Sequence, residues 1–136
     1  MDIWSKEKRS EVMSRIRGKN TKPELAVRSL LHRSGFRFRL HRRDLTGQPD
    51  IVLPKYRTII FVHGCFWHQH KGCANSVIPK TQRKKWQLKL GKNIERDKLN
   101  KNRLTREGWR VIIVWECQIE KNIEKVKQKI LCRLSQ

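Results

Sequence analysis

Acidic residues are scarce in this 136-residue chain, which has 12 Asp and Glu against 33 Lys and Arg. The resulting formal net charge of +21 repels itself in a compact domain unless a polyanion or bound cations offset it. Nucleic acid is the commonest polyanion. An anionic membrane is the rival, but the basic residues are spread along the whole chain rather than gathered on one amphipathic helix. The charge balance therefore predicts a nucleic-acid-binding protein.

Long hydrophobic runs are also missing. The chain has no apolar run of about 18 residues, so no membrane-spanning helix and no membrane partner are predicted. Segment 1–9 is charged and lacks the apolar stretch of a secretory signal, so the expected location is cytoplasmic. Five Trp and four Phe argue against disorder, because disordered chains are poor in aromatic residues.

The pattern of apolar residues predicts one α/β domain with a central mixed sheet flanked by helices. Residues 1–20 are expected to form a basic N-terminal helix or arm on a partner, and 21–136 the folded domain. Thr21 is a predicted N-cap, and Gly35 is expected to end the helix that follows. The remaining expected elements are strands at 36–40, 50–53, 58–62 and 110–115 and helices at 81–107 and 123–134.

Cysteines and one histidine form a compact set of potential metal ligands. Cys65, His70 and Cys73 follow a predicted buried strand, and Cys117 lies just past another. If the two strands are neighbours, these residues leave the sheet at the same edge and can form a closed tetrahedral Zn²⁺ site, which is structural. The alternative is that the cysteines are buried thiols and His70 a surface residue. Cys132 is expected to be partly buried on the last helix and to fill space.

Asp50 begins a short strand after Pro49, and a second strand ends at His63 about a dozen residues later. This is the layout of a restriction-nuclease core of the PD-(D/E)xK type, in which the acid holds Mg²⁺ against the scissile phosphate and a nearby group aligns water. Phe61 replaces the second acid of that pattern, and His63 replaces its lysine. His63 and His68 could act as base and acid at neutral pH. The alternatives are a plain Pro–Asp turn and ordinary loop histidines.

Two further acids stand out because acids are so few. Glu24 is expected either to cap its helix or to lie beside the metal. Asp97 is a candidate for the edge of the site, or it pairs with neighbouring basic side chains on the helix surface.

Four segments resemble the very-short-patch repair (Vsr) DNA mismatch endonucleases of bacteria. They occur in the family's order, and the resemblance spans residues 5–132. The segments are FVHGCFWH at 61–68, GQPD at 47–50, GKNIERD at 91–97 and GWRVIIVWEC at 108–117.

The resemblance implies a Mg²⁺-dependent, strand-specific DNA nickase. Such an enzyme recognises T:G mismatches that arise when 5-methylcytosine deaminates, cuts on the 5′ side of the mismatched T, and starts short-patch repair. Double-stranded DNA is the implied partner, and the enzyme is expected to be a monomer in the bacterial cytoplasm, associated with the nucleoid. A downstream repair polymerase and mismatch-repair proteins are possible further partners.

The resemblance also implies roles for individual residues. The implied catalytic residues are Asp50, His63, His68, Glu24 and Asp97. The implied metal ligands are Asp50 and the Val62 backbone carbonyl for Mg²⁺, and Cys65, His70, Cys73 and Cys117 for Zn²⁺. The implied DNA contacts are Met13, Phe66, Trp67, Trp86, Lys92, Asn93 and Arg96, with the aromatic residues wedged beside the mismatch.

Two other functions fit the composition. One is a non-catalytic, zinc-stabilised nucleic-acid-binding module of ribosomal type, and the other is a restriction-type nuclease that acts on other DNA. Metal-dependent cleavage separates them, since the binding module predicts none and the restriction-type nuclease predicts cutting without a T:G preference. Affinity alone does not, because phosphate contacts give salt-sensitive binding in every case.

Overall fold

The structure is a computed structural model that describes residues 21–135. The predicted N-terminal helix at 1–20, with the candidate DNA contact Met13, lies outside the described residues. The elements in chain order are α1 (Lys22–Arg33), β1 (Arg39–Leu40), β2 (Ile51–Leu53), β3 (Thr58–His63), α2 (Arg83–Arg106), β4 (Arg110–Trp115), α3 (Glu116–Lys121) and α4 (Ile123–Leu134).

The strands form one mixed sheet in the order β1-β2-β3-β4. The first two pairs are antiparallel, whereas β3 and β4 are parallel and are joined through α2. Their register sets His63 opposite Trp115, so the segments that follow these two strands leave the sheet side by side. The mixed sheet with its helices confirms the predicted α/β class.

Successive residues of each strand point to opposite faces of the sheet, so their side chains pack into two separate hydrophobic cores. Ile51, Ile60 and Ile112 pack on one face against apolar residues of α1 and α4. Val52 and Ile59 pack on the other face, where Leu104 of α2 covers them. Helices therefore cover both faces of the sheet, and its ends are left to carry polar side chains.

Thr21 caps α1 as predicted, because its Oγ1 accepts a hydrogen bond of 3.3 Å from the backbone N–H of Glu24. The predicted strand at 36–40 is shorter than expected. The N–H of Phe36 still donates to Leu31 O in the turn that ends α1, and the ladder with β2 holds only Arg39 and Leu40.

Two other expectations are corrected by the structure. The short helix α3 was not predicted, since its six residues directly follow a strand and are too few to show a helical period. Cys132 is exposed rather than partly buried, because α4 turns Val126 and Ile130 toward the core instead. Within residues 21–135, none of the helices is long and apolar enough to cross a membrane.

Candidate active site and metal centre

Asp50 and Glu24 form a carboxylate pair at one end of the sheet. Asp50 directly precedes β2, and its Oδ2 accepts a hydrogen bond of 2.8 Å from the Val62 N–H of β3. Glu24 reaches it from α1 and is only 1% exposed. Burial raises the pKa of Asp50 to about 7, the charge of Glu24 adds to that rise, and the Val62 N–H opposes it. Two carboxylates in contact, one buried and one half-buried, favour a shared proton or a bound cation.

Within residues 21–135, the Glu24 carboxylate contacts the side chains of Arg28 and His41. It is bound by the Arg28 guanidinium, and His41 Nε2 lies 3.2 Å from its Oε1 and 3.0 Å from its Oε2. One ligand atom each from Glu24, His41 and Asp50 lie within 4.8 Å of one another. Sequence reasoning missed His41, because nothing in the sequence sets it apart from other loop histidines.

His63, His68 and Asp97 form a second group. His68 Nδ1 is 2.5 Å from Asp97 Oδ2, which joins the loop after β3 to helix α2. The rings of His63 and His68 are stacked with centroids 3.8 Å apart. Burial lowers the pKa of His63 to about 3, and the neighbouring His68 lowers it further while Asp97 opposes the shift. His63 is therefore neutral at physiological pH, and His68 is the more accessible of the two rings.

Three thiols and an imidazole meet just beyond β3 and β4. Ligand atoms of Cys65, His70, Cys73 and Cys117 all lie within 4.8 Å of one another. His70 Nδ1 is 3.8 Å from Cys65 Sγ and 3.3 Å from Cys117 Sγ. Burial raises the pKa of Cys65 to about 12, so its thiolate needs a cation beside it. The donor set and its closeness fit a tetrahedral metal ion.

Neighbouring residues hold this Cys₃His group in place. The His70 ring stacks on Trp115 at the end of β4, with centroids 4.2 Å apart. The Cys65 N–H donates to Glu116 Oε1 at 3.1 Å, which ties the start of the loop to α3. Helix α3 was not predicted, yet it carries both Cys117 and this carboxylate.

Phe66, Trp67 and Trp86 form an aromatic cluster beside the histidines. Ring centroids are 5.1 Å apart for Phe66 and Trp67, 5.4 Å for Phe66 and Trp86, and 6.0 Å for the two tryptophans. Lys89 Nζ lies 5.5 Å from the Trp67 ring and 5.8 Å from the Trp86 ring. All three rings are half-buried. Each therefore keeps surface on which a base could stack.

The polar candidates on α2 differ in their surroundings. Lys92 and Arg96 are exposed, whereas Asn93 is half-buried. Asn93 Nδ2 donates to the backbone carbonyl of Trp67 at 3.2 Å, and Arg96 donates to Asn93 Oδ1 at 3.1 Å. Asn93 thus positions the aromatic loop, and Lys92 and Arg96 keep their charges toward solvent.

An open cleft of about 1150 Å³ joins these groups. The carboxylate of Asp50, the paired His68 and Asp97, and the ring of Trp67 all line it. Lys89, Arg96 and Lys101 add positive charge along α2. The cleft thus brings together Asp50, His63, His68 and Asp97, whereas Glu24 is buried against Asp50 and does not line the cleft. The Cys₃His group lies at the base of the loop that carries His68.

Comparison with solved structures gives the class of fold. The catalytic domain of homing endonuclease I-Bth0305I superposes with a TM-score of 0.56 over 84% of this chain and 94% of that domain, at 22% sequence identity. The two chains therefore share a fold.

Sequence comparison then identifies the family. The profile described as DNA mismatch endonuclease Vsr matches residues 1–75. The chain belongs to this family, as the motifs of the sequence predicted.

Similar proteins cover most of the chain. Type II nicking enzyme V.XorIIP of Xanthomonas oryzae pv. oryzae is 52% identical over 87% of this chain and 86% of its own length. Type II nicking enzyme V.NmeAIP of Neisseria meningitidis is 46% identical over 97% of this chain and 89% of its own length. DNA mismatch endonuclease Vsr of Escherichia coli is 44% identical over 87% of this chain and 75% of its own length.

A nuclease of this family implies a divalent metal ion. The carboxylates of Asp50 and Glu24 fit one, because both offer hard oxygen donors within 4.8 Å and because burial of Asp50 disfavours its charge without a cation. The Cys₃His group could hold a second ion of a softer kind.

Proposed function

We propose that this protein is a Mg²⁺-dependent, strand-specific DNA endonuclease that nicks on the 5′ side of the T in T:G mismatches and so begins very short patch repair. One observation carries the proposal: Asp50, the His68–Asp97 pair, and Phe66 and Trp67 of the aromatic cluster line one cleft. Glu24 lies buried against Asp50. A non-catalytic binding module gives no reason for these groups to converge. The net charge of +21 supports double-stranded DNA as the substrate.

Asp50, Glu24 and the backbone carbonyl of Val62 are the residues that would hold Mg²⁺. The ion would supply positive charge against the scissile phosphate, where negative charge grows during hydrolysis. The hydrogen bond from the Val62 N–H fixes one oxygen of Asp50 at 2.8 Å, so the carboxylate keeps a set orientation. Glu24 would add a second negative charge beside Asp50 and help to order water there.

His68 is the group placed to move a proton. Its Nδ1–H donates to Asp97, so Nε2 would carry the lone pair that accepts a proton, and His68 lines the cleft. Asp97 thereby sets the tautomer and stabilises the ring when it becomes charged. His63, stacked beneath it and neutral, supports the ring and does not compete for the proton.

The aromatic cluster provides the basis for mismatch recognition. A T:G wobble pair stacks weakly, so opening the duplex beside it costs less than opening a matched step. Phe66, Trp67 and Trp86 would insert there, while Lys92, Arg96 and the 1–20 arm with Met13 contact the backbone and the opposite groove. An asymmetric mismatch needs no two-fold related copy, so the enzyme would act as a monomer.

The Cys₃His group would hold a structural Zn²⁺. Its four protein ligands would satisfy the usual four-coordinate preference of Zn²⁺, which fits a structural rather than a catalytic ion. The ion would fasten the loop from Cys65 to Cys73 onto the start of α3 and so place Trp67 and His68.

A nicking assay tests the proposal. Duplexes that differ only in carrying T:G or C:G, in several flanking contexts and labelled on each strand, are incubated with Mg²⁺ and with EDTA. We expect Mg²⁺-dependent cutting only on the 5′ side of the mismatched T. Cutting of T:G and C:G at equal rates would instead assign a restriction-type nuclease, and binding without any cutting would assign the non-catalytic module.

Trp67→Ala is expected to reduce the preference for T:G over C:G by roughly tenfold, since one stacking contact is worth about 1–3 kcal/mol. Total DNA affinity should change less, because phosphate contacts supply most of it. The measurement is competition binding with matched and mismatched duplexes, and Trp109→Ala, which lies away from the cleft lining, serves as the control. An equal loss on both duplexes would mean that Trp67 only packs the loop.

A further inference from the structure

His41 contacts the Glu24 carboxylate through one ring nitrogen. Nε2 lies 3.0 Å and 3.2 Å from the two carboxylate oxygens and 3.3 Å from a nitrogen of Arg28. An arginine can only donate hydrogen bonds, and a carboxylate can only accept them. The two shorter contacts therefore favour the tautomer with hydrogen on Nε2, in which His41 and Arg28 both donate to Glu24.

The backbone of His41 is bound to the other carboxylate residue. Its N–H donates to the Asp50 carbonyl at 3.2 Å, one position beyond the β1–β2 ladder. At this point φ is +47°, a left-handed conformation that is unfavourable for a residue with a side chain and persists where surrounding contacts enforce it. The turn directs the imidazole to Glu24, so His41 joins Asp50 through its main chain and Glu24 through its side chain.

Neutralising the charge of Glu24 does not by itself require His41. Arg28 already pairs with Glu24 one turn further along α1. That pair lies within a single helix and sets no relation between Glu24 and the sheet. His41, in contrast, fixes the position of the Glu24 side chain relative to the strand that begins next to Asp50.

We propose that His41 is a positioning residue: its Nε2–H holds the Glu24 carboxylate against Asp50, so that the two carboxylates bind one divalent cation together. The proposal deepens the proposed function and rests on its assignment of Asp50 and Glu24 to the cation. His41 itself touches neither the DNA nor the ion in this account.

Two substitutions distinguish the two possible roles of His41, its hydrogen bond to Glu24 and its left-handed backbone conformation. In His41→Gln, the side-chain amide nitrogen can take the place of Nε2 and donate to Glu24. In His41→Asn, the amide ends near the position of Nδ1 and falls short of Glu24, although Asn tolerates a left-handed φ best among residues with a side chain. A role confined to the turn predicts that Asn is the better replacement, whereas the positioning role predicts that Gln is.

The probe is Mn²⁺, titrated into the whole protein without DNA and followed by electron paramagnetic resonance, with Asp50→Asn as the variant that lacks the site. We expect His41→Asn to weaken the Asp50-dependent Mn²⁺ binding by about 10- to 100-fold, as is usual for the loss of a residue that orients a metal ligand. His41→Gln should stay close to wild type. In single-turnover nicking, His41→Asn should raise the metal concentration for half-maximal rate by a similar factor and leave the saturating rate little changed.

Three results would overturn the proposal: Mn²⁺ binding unaffected in His41→Asn, equal loss in both variants, or no Asp50-dependent Mn²⁺ binding in the wild type. Thermal unfolding of each variant shows whether it is folded. If Mn²⁺ binding depends on His41 and Asp50 but the protein nicks no T:G duplex, the proposed function is contradicted and the positioning role of His41 is not.

Discussion

Asp50→Asn is expected to abolish nicking and, without added Mg²⁺, to make the protein more stable at about pH 8. The substitution removes the charge that would hold the cation, and metal-ion catalysis is worth several kcal/mol, so the rate should fall by at least about 1000-fold. Asn has the same shape, and its carbonyl can still accept the hydrogen bond from the Val62 N–H. The measurements are single-turnover nicking and thermal unfolding.

The gain in stability follows from the raised pKa of Asp50. Burial moves it from 3.8 to about 7, so the folded state resists ionisation that the unfolded state accepts. The wild type therefore loses stability as the pH rises from about 4 to about 7, by at most about 4 kcal/mol. Asp50→Asn removes this loss, and its advantage should be largest above pH 7 and should vanish near pH 4.

Added Mg²⁺ should stabilise the wild type but not Asp50→Asn, because a ligand that binds the folded state raises its stability. Asp44→Asn is the matched control, since Asp44 is an exposed aspartate paired with Arg42 outside the cleft. A variant that still nicks at the wild-type rate would remove Asp50 from the site. A variant less stable than wild type at pH 8 would show that its carboxylate is structural.

The metal-ligand group illustrates what the sequence could predict. Cys65 and Cys117 each follow a buried apolar strand by two residues, and parallel neighbouring strands end at the same edge of the sheet. The apolar pattern of the two strands, together with the assumption that they are neighbours in the sheet, was enough to predict that the two cysteines lie close together. The structure confirms that β3 and β4 are neighbours, and the identity of the ion stays a prediction.

The contacts of Glu24 show where sequence reasoning stops. Thr21 and Glu24 have the spacing of a capping box, and the cap hydroxyl does bind the Glu24 N–H. The direction of the carboxylate, however, depends on His41, which approaches it through a left-handed turn 17 residues away. Local spacing predicts the helix start, but the inward direction of the side chain is decided by contacts between distant segments.

The aromatic and histidine groups show the same division. The run from Phe61 to His68 placed His63 on a strand and His68 in the loop after it, and the structure agrees. The sequence left open whether Asp97 pairs on the helix surface or joins the site. The structure brings Asp97 to His68 because α2 crosses the sheet face as it links β3 to β4. The amphipathic pattern predicted the helix, whereas its angle over the sheet depends on packing.

If the Cys₃His group binds zinc as proposed, Cys117→Ser should lose the ion and lower the unfolding temperature by more than about 10 °C, because the energy of a structural zinc site is folding energy. Cys117 belongs to the cluster of four donors, and its loss leaves Cys65 buried beside an incomplete set. His68 and Trp67 stand on the loop that the ion would fasten, so nicking should fall as well. The measurements are zinc content of the purified protein and thermal unfolding.

Cys132→Ser is the matched control, because this cysteine is exposed on α4 and lies outside the cluster. It should keep the wild-type zinc content and unfold within a few degrees of wild type, as exposed substitutions usually change stability by about 0.5 kcal/mol or less. Equal zinc content in the two variants would show that Cys117 is not a ligand. Zinc loss without destabilisation would mean that the ion binds a loop that other contacts already hold, such as those of Asn93 and Gln69 with the backbone of the aromatic cluster.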